Sequence, residues 1–98
     1  MPRPELLEQI YTIVDQIPAG RVTTYGRIAA MTEGATARSV GSAMRHLPEG
    51  HTLPWHRVIA ATRKLADHDS AQRQHELLRA EGVTFDVSGK VPAHLLWP

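Results

Sequence analysis

The chain has no cysteine among its 98 residues. Disulfide bonds, thiolate metal sites and a thiol nucleophile are therefore excluded together. Long apolar segments are missing as well. No run approaches the roughly 20 residues of a membrane span, and residues 1–5 lack the apolar stretch of a secretory signal. These absences predict a cytoplasmic protein that does not enter membranes.

Neither internal repeats nor low-complexity segments interrupt the chain. The hydrophobic fraction of 42% and the charged fraction of 21% are those of an ordinary globular domain. A length of 98 residues leaves no room for two hydrophobic cores. We therefore expect residues 1–98 to form a single domain with a small core.

The net charge of +1 hides an uneven distribution along the chain. Residues 21–64 contain seven basic and two acidic residues, a net charge of +5, whereas the rest contains four basic and eight acidic residues, a net charge of −4. Six of the seven basic residues are arginines, which suit fork-like contacts to phosphates and bases. The segment is either a nucleic-acid contact region or a chance cluster on a solvated surface.

Apolar spacing predicts a first helix that begins at Pro4 and ends before Pro18, because a residue that precedes proline disfavours helical geometry. A fourth helix follows a cap at Asp69-Ser70 and ends at Gly82, with Leu77 and Leu78 buried. Beyond it, alternating residues 83–87 predict a strand, Ser88-Gly89 a turn toward Val91, and the apolar tail 94–98 a segment that packs back on the body.

Two short helices between these form a helix-turn-helix candidate. The second helix runs from Tyr25 to Met31, with Ile28 and Met31 facing inward. Thr36 caps the third helix, which runs from Ala37 to about His46. The apolar side of this third helix consists of Val40, Ala43, Met44 and Leu47.

The outward positions of the third helix are unusually small. A mid-helix glycine such as Gly41 costs about 1 kcal/mol relative to alanine, so something should compensate for it. A smooth face permits close approach to DNA, with Arg38 as the long side chain that reaches into the base stack. Packing against another helix of the same domain would use small residues equally well. The outward set is Ala37, Ser39, Gly41, Ser42 and Ala43, around Arg38 and Arg45.

Six histidines raise the question of a metal site, but no pair has i, i+4 spacing on a predicted helix, and we expect neither a metal nor another cofactor. A Ser-His-Asp site is possible by residue count, yet the chain lacks a Gly-x-Ser-x-Gly nucleophile elbow. Residues 48–57, with Pro48, Gly50 and Pro54, predict an irregular loop. Val58-Ile59 is a short buried run of either helix or strand.

Three ordered motifs are more specific: residues 17–26 (IPAGRVTTYG), residues 37–45 (ARSVGSAMR) and Pro54-Trp55-His56-Arg57-Val58. Over about residues 6–83 the chain resembles the DNA-binding domain of O6-alkylguanine-DNA alkyltransferases, whose Pro-Cys-His-Arg-Val motif carries the alkyl-accepting cysteine. Trp55 at the cysteine position is the mark of the alkyltransferase-like proteins. The resemblance implies a mainly α fold with a small β element, a winged helix-turn-helix-like DNA-binding domain as in the alkyltransferase C-terminal domain.

The same resemblance implies roles for individual residues. Arg38 corresponds to the arginine finger that replaces the flipped nucleotide in the stack, and Tyr25 to the tyrosine that presses on the 3′ phosphate. His56 and Glu81, with Arg57 beside them, match the network that activates the enzymes' cysteine. The expected DNA-binding set is Thr24, Tyr25, Ala37, Arg38, Ser39, Gly41, Ser42 and Arg45, and the expected lesion pocket is Met44, Trp55, His56, Arg57, Val58 and Ser70.

Two departures from the family pattern fall on the pocket wall. Leu47 stands where the enzymes have a hinge asparagine, and residues 66–70 replace their Tyr-Ser-Gly loop. The enzymes' separate N-terminal domain has no counterpart in this sequence.

The tryptophan decides the chemistry. Alkyl transfer needs a thiolate aligned with the alkyl carbon, and the indole N–H of Trp55 is a donor without a basic lone pair. A large aromatic is often simply core, but Trp55 lies inside the motif. We therefore predict a protein without catalytic residues that binds duplex DNA at O6-alkylguanine, flips the base and leaves the alkyl group in place.

The resemblance further implies a monomer that marks the lesion for nucleotide excision repair proteins and is associated with the nucleoid when bound to DNA. Two other functions stay open from the residues. A helix-turn-helix regulator of undamaged DNA would explain the basic segment, and an enzyme with another nucleophile, such as His56, would remove the alkyl group.

Overall fold

The computed structural model describes residues 3–65 and 69–98. Helix α1 spans Pro4–Asp15 and begins with proline, whose missing N–H would have no partner in a first turn. Its buried face is Leu6, Ile10 and Val14, and the buried Ile17 continues this apolar side just beyond the helix end. The predicted first helix is confirmed.

Helices α2, Tyr25–Ala30, and α3, Ala37–Arg45, pack against each other and against α1. Both begin at a threonine whose hydroxyl accepts from a backbone N–H of the first turn. The helix-turn-helix prediction is confirmed. Met31 was expected to face inward, but this residue comes just after the end of α2 and is 40% exposed. Thr32, the next residue, is buried instead.

A two-stranded parallel sheet connects the two halves of the chain. Strand β1 is Thr23–Thr24 and strand β2 is Val58–Ile59, with Thr23 opposite Val58 and Thr24 opposite Ile59. The ambiguous run at residues 58–59 is therefore a strand. Sequence patterns did not indicate its partner, because a two-residue strand is too short to show alternation.

Helix α4 spans Asp69–Ala80, and Gly82 follows its end with φ +88°, a backbone conformation that favours glycine. Leu78 is fully buried as expected, but Leu77 is only half-buried. The strand expected at residues 83–87 is wrong: the segment pairs with no strand among the described residues, and Val87 is fully exposed. Asp86 instead organises a turn, and its carboxylate accepts from the N–H groups of Ser88 and Lys90.

The C-terminal tail packs back on the body, as predicted. Leu96 forms a parallel bridge with Val22 beside β1, and Trp97 N–H donates to Val22 O at 2.7 Å. The guanidinium of Arg21 donates to the carbonyls of Leu95 and Leu96 at 3.0 and 2.7 Å. The tail is thus held through backbone hydrogen bonds as well as apolar contact.

The core has two clusters. One lies among α1, α2, α3 and β2, and the other lies between Val22, β2, α4 and the segments around residues 83 and 91. Within residues 3–65 and 69–98 no helix is both long and apolar enough to cross a bilayer.

Candidate nucleic-acid interface and base pocket

The exposed start of α3 is fixed by a capping box. Thr36 Oγ1 accepts from Ser39 N–H at 3.1 Å, and Ser39 Oγ accepts from Thr36 N–H at 2.9 Å. The Ser39 side chain, expected to contact DNA, therefore also caps the helix. Arg38 lies next to it, exposed, and its guanidinium has no partner in the described part of the chain.

The small side chains of α3 divide between solvent and core. Ala37 is exposed, and Gly41 and Ser42 are half-buried. Ala43, which the sequence placed both on the apolar side and in the outward set, is fully buried in the first core cluster. A Cβ added at Gly41 would meet no atom within 4 Å. Packing inside the described chain therefore does not require a glycine there, which favours the external-contact interpretation of the smooth face.

Helix α2 places two further residues of the expected DNA-binding set. Thr24 is buried, and its hydroxyl accepts from Arg27 N–H at 3.1 Å, so its side chain acts as the cap of α2. Tyr25 is half-buried. Burial raises the pKa of its phenol, and the positive charge of Arg45 acts in the opposite direction. Tyr25 therefore stays a neutral hydroxyl near a guanidinium at neutral pH.

A cavity of about 500 Å³ opens beside these helices. Its size is within the roughly 300–1,000 Å³ of sites that hold small organic molecules. The walls come from α2, the end of α3, the following loop, the Trp55 turn, β2 and α4, which sequence motifs alone did not bring together. The lining residues are Tyr25, Met44, Arg45, Leu47, His51, Trp55, Val58, Ile59, Ala60, Lys64, Leu65, Ser70 and Gln74.

Trp55 begins a 3₁₀ turn, Trp55–Arg57, that leads directly into β2. Its backbone N–H donates to Leu53 O at 2.8 Å, and its ring meets that of His56 edge to face, with centroids 6.2 Å apart. The indole is half-buried rather than core, and none of the described residues accepts from its N–H. A planar apolar face and one unused donor are thus available to the cavity.

His56 and Arg57 engage Glu81 at the end of α4, and neither contributes to the cavity lining. His56 Nε2 lies 2.7 Å from Glu81 Oε2, and Arg57 Nη2 donates to the same oxygen at 2.7 Å. Arg57 Nη1 also donates to Ile17 O, and Glu81 Oε1 accepts from Gly20 N–H. The network predicted for His56, Arg57 and Glu81 is present, and it ties three segments together.

This network changes the acidity of Glu81. Burial by itself would raise the pKa of the carboxyl, but hydrogen bonds from Arg57, the Gly20 amide and His56 outweigh it and lower the pKa to about 2. The carboxylate is therefore ionised across the physiological range. Nothing in this arrangement supplies a nucleophile beside the cavity.

Gln74 is a site residue that the sequence interpretation missed. Its side chain is 7% exposed, and Nε2 donates to the carbonyls of His56 and Val58 at 3.1 and 3.0 Å. These bonds hold the Trp55 turn and β2 against α4. The sequence does contain a sign of this role: Gln74 is a polar residue one helical turn before Leu78, in the stripe of the helix that faces the core.

The pocket loop is described only in part. Ser70 lines the cavity, but Ala66, Asp67 and His68 lie outside the described residues. No cluster of three or more histidine, aspartate or glutamate residues suited to a metal ion occurs in the described ranges.

Fold and site together define a helix-turn-helix DNA-binding domain with an adjacent base-sized cavity. The chain belongs to the family of DNA-binding domains of 6-O-methylguanine DNA methyltransferases, whose model matches residues 5–83. The expected fold class, mainly helical with a small sheet, is confirmed.

The relatives include proteins of the alkyltransferase-like kind, as Trp55 predicted. The chain is 43% identical over 89 residues to a DNA base-flipping protein of Vibrio parahaemolyticus, covering 89% of each. It is 44% identical over 84 residues to alkyltransferase-like protein 1 of Schizosaccharomyces pombe, covering 81% of this chain and 77% of that protein. A crystal structure of S. pombe Atl1 with damaged DNA containing O6-carboxymethylguanine superposes with a TM-score of 0.82 at 36% identity, covering 100% of this chain and 99% of the other.

Proposed function

We propose that this protein recognises O6-alkylguanine in duplex DNA, holds the flipped base in the cavity beside Trp55 and leaves the alkyl group on the base. The observation that carries the proposal is Trp55 itself. An indole lines the cavity at the position where the family's enzymes have cysteine, and the chain contains no cysteine to replace it. The protein therefore retains recognition of the lesion without the ability to transfer the alkyl group to itself.

Flipping a base out of a duplex costs a few kcal/mol, and less for a base that pairs poorly. Arg38 offsets part of this cost by entering the stack in place of the lost base, from its exposed position at the start of α3. Tyr25, which begins α2 and lines the cavity, presses on the phosphate beside the lesion. The smooth surface around Gly41 brings the DNA backbone close enough for both contacts.

The flipped base is stabilised by Trp55. Stacking between a base and an aromatic side chain contributes about 1–3 kcal/mol, and Met44 and Val58 add apolar surface for the alkyl group. His56, Arg57 and Glu81 have a structural role here, because their hydrogen-bonding groups are directed at one another and at backbone atoms. They hold the turn that carries Trp55.

The test is a titration with two duplexes that differ only in one base, guanine or O6-methylguanine, followed by mass spectrometry of the protein and the DNA. We expect at least about tenfold tighter binding of the methylated duplex, because a base that pairs poorly is easier to flip, with both masses unchanged. A protein that gains one methyl group, or a lesion that disappears, would identify an enzyme. Equal affinity for the two duplexes would favour a regulator of undamaged DNA.

We also propose that the protein acts as a single-domain monomer in the cytoplasm, associates with the nucleoid through DNA, and marks the lesion for nucleotide excision repair. Family resemblance supports this step. Deleting the gene should then sensitise cells to an alkylating agent only where nucleotide excision repair is intact. Equal sensitisation in repair-deficient cells would contradict the hand-over.

A further inference from the structure

The lining of the cavity is rich in hydrogen-bond donors and cations. We give the name donor wall to four of its lining residues, Arg45, His51, Trp55 and Lys64. Arg45 and Lys64 carry fixed positive charges, and neither forms an ion pair with any described residue. Among the described lining residues there is no carboxylate. The cavity lining therefore has positive charge that the described residues do not neutralise.

His51 adds a donor of defined tautomer. Its Nδ1 accepts from Leu53 N–H at 3.1 Å, and a nitrogen that accepts carries no proton. The proton of the neutral ring is therefore on Nε2, which is left as a donor. The indole N–H of Trp55 is likewise unused by the described residues. The donor wall thus combines two cations with two neutral donors.

A wall of this composition is complementary to a group that only accepts hydrogen bonds. We propose that the cavity selects O6-alkyl substituents that carry a negative charge, with O6-carboxymethylguanine as the representative lesion, over neutral substituents of the same size. This inference rests on the proposed function and specifies the lesion class. An ionised carboxylate accepts only, and its hydrogen bonds to charged donors are stronger than those of a neutral amide.

The cations have a second possible anion, the DNA phosphates, and the experiment separates the two. Three duplexes differ only at one position: guanine, O6-carbamoylmethylguanine and O6-carboxymethylguanine. The last two are nearly equal in size and differ in charge. Every phosphate contact is common to both duplexes. We name as the charge preference the dissociation constant of the carbamoylmethyl duplex divided by that of the carboxymethyl duplex, and this ratio reports on the substituent alone.

We expect the full chain to bind the carboxymethyl duplex about five- to tenfold more tightly than the carbamoylmethyl duplex at low salt. Lys64→Gln and Arg45→Gln should each reduce the charge preference at least about threefold. Arg79→Gln is the matched control, because it removes an exposed cation of α4 that does not line the cavity. It should leave the ratio unchanged.

A charge preference of one or below, or one that survives both substitutions, overturns the inference. Varying the salt concentration is a second test that needs no variant. Raising ionic strength screens exposed charges, so the charge preference of the unmodified protein must decrease. A charge preference that does not change with salt counts against the donor wall. The proposed function fails separately. It fails if all three duplexes bind equally, whereas only this inference fails if both alkylated duplexes bind alike and more tightly than guanine.

Discussion

At the scale of single residues, the fold leaves one arginine without an internal partner and engages others. Arg38 is exposed at the start of α3, and its guanidinium forms no hydrogen bond with the described residues. Arg21 and Arg57, in contrast, are held by carbonyls or by Glu81. Residue type alone does not distinguish these two situations, and the difference is the reason for proposing Arg38 as the DNA contact.

The Arg38 side chain should contribute to lesion binding without stabilising the fold. Arg38→Ala leaves the gap in the base stack unfilled, so we expect affinity for the O6-methylguanine duplex to fall about tenfold or more, using 1–3 kcal/mol for a stacking contact. Tyr25→Ala should also weaken binding. Anisotropy titrations measure both, with Arg79→Ala as the control. Unchanged lesion affinity in both variants would contradict base flipping.

Arg21 should behave in the opposite way. Arg21→Ala removes two hydrogen bonds to the tail, at 3.0 and 2.7 Å, and we expect the free energy of unfolding to fall by about 1–2 kcal/mol. Lesion affinity below the unfolding temperature should stay within about twofold, because these contacts are internal. Chemical denaturation and the same titration measure the two quantities. A large loss of affinity without loss of stability would make Arg21 a phosphate contact.

Glu81 should make stability depend on pH in the acid range. Its pKa falls from 4.5 to about 2 on folding, so its stabilising contribution is complete above about pH 4.5 and disappears as pH falls toward 2. Glu81→Gln should lower the free energy of unfolding at pH 7 by about 2 kcal/mol, because Arg57 loses its counter-charge. Urea midpoints across this pH range measure the effect.

We expect the Glu81→Gln variant and the native chain to differ in how steeply the free energy of unfolding changes with pH. The variant should lose less stability than the native chain between pH 4.5 and 2, since the group that titrates has been removed. Glu76→Gln is the control, because Glu76 forms only an exposed pair with Arg73 at 3.8 Å. Parallel pH profiles for Glu81→Gln and the native chain would show that the network does not couple to folding.

At the scale of elements, α3 contains a glycine that costs helix stability and that we relate to the proposed contact with DNA. Gly41 lowers helix propensity, and a Cβ at this position would meet no atom of the described chain. We expect Gly41→Ala to raise the free energy of unfolding by about 0.5–1 kcal/mol and to weaken DNA binding, since the added methyl group separates the helix from the DNA. Thermal unfolding and titration measure both. Tighter DNA binding by this variant would contradict the proposed approach.

Helices were predicted more accurately than strands, for a physical reason. The caps at Thr24 and Thr36 act within three residues of chain, so local sequence contains the whole signal. Strand β1 exists only because Val58–Ile59 pairs beside it from more than thirty residues away. Residues 83–87 alternate like a strand, yet they form none, because no segment in the described part of the chain supplies the backbone partners.

At the scale of the whole molecule, the basic segment is less available to DNA than its net charge suggests. Of its seven cations, four arginines donate to backbone carbonyls or to Glu81: Arg21, Arg27, Arg57 and Arg63. The remaining three are Arg38, Arg45 and Lys64.

Salt dependence should reflect these remaining cations. With about three phosphate contacts, log K should fall against log salt with a slope of about −3. Titrations of the lesion duplex between low and physiological salt measure it. A slope near −6 would mean that the internally bonded arginines also reach the DNA, and one near zero would exclude phosphate contact.

The sequence by itself determined the helices, their caps and the absence of a thiol nucleophile, because periodicity, capping and residue inventory are local properties. Its motifs also indicated Arg38, Tyr25 and Trp55 as candidate site residues. Only the tertiary structure decided which polar groups are already engaged: Gln74 is bonded to two carbonyls, His56 and Arg57 are directed at Glu81, and four arginines of the basic segment are bonded internally. Those contacts join residues far apart in the chain, so no local pattern reveals them.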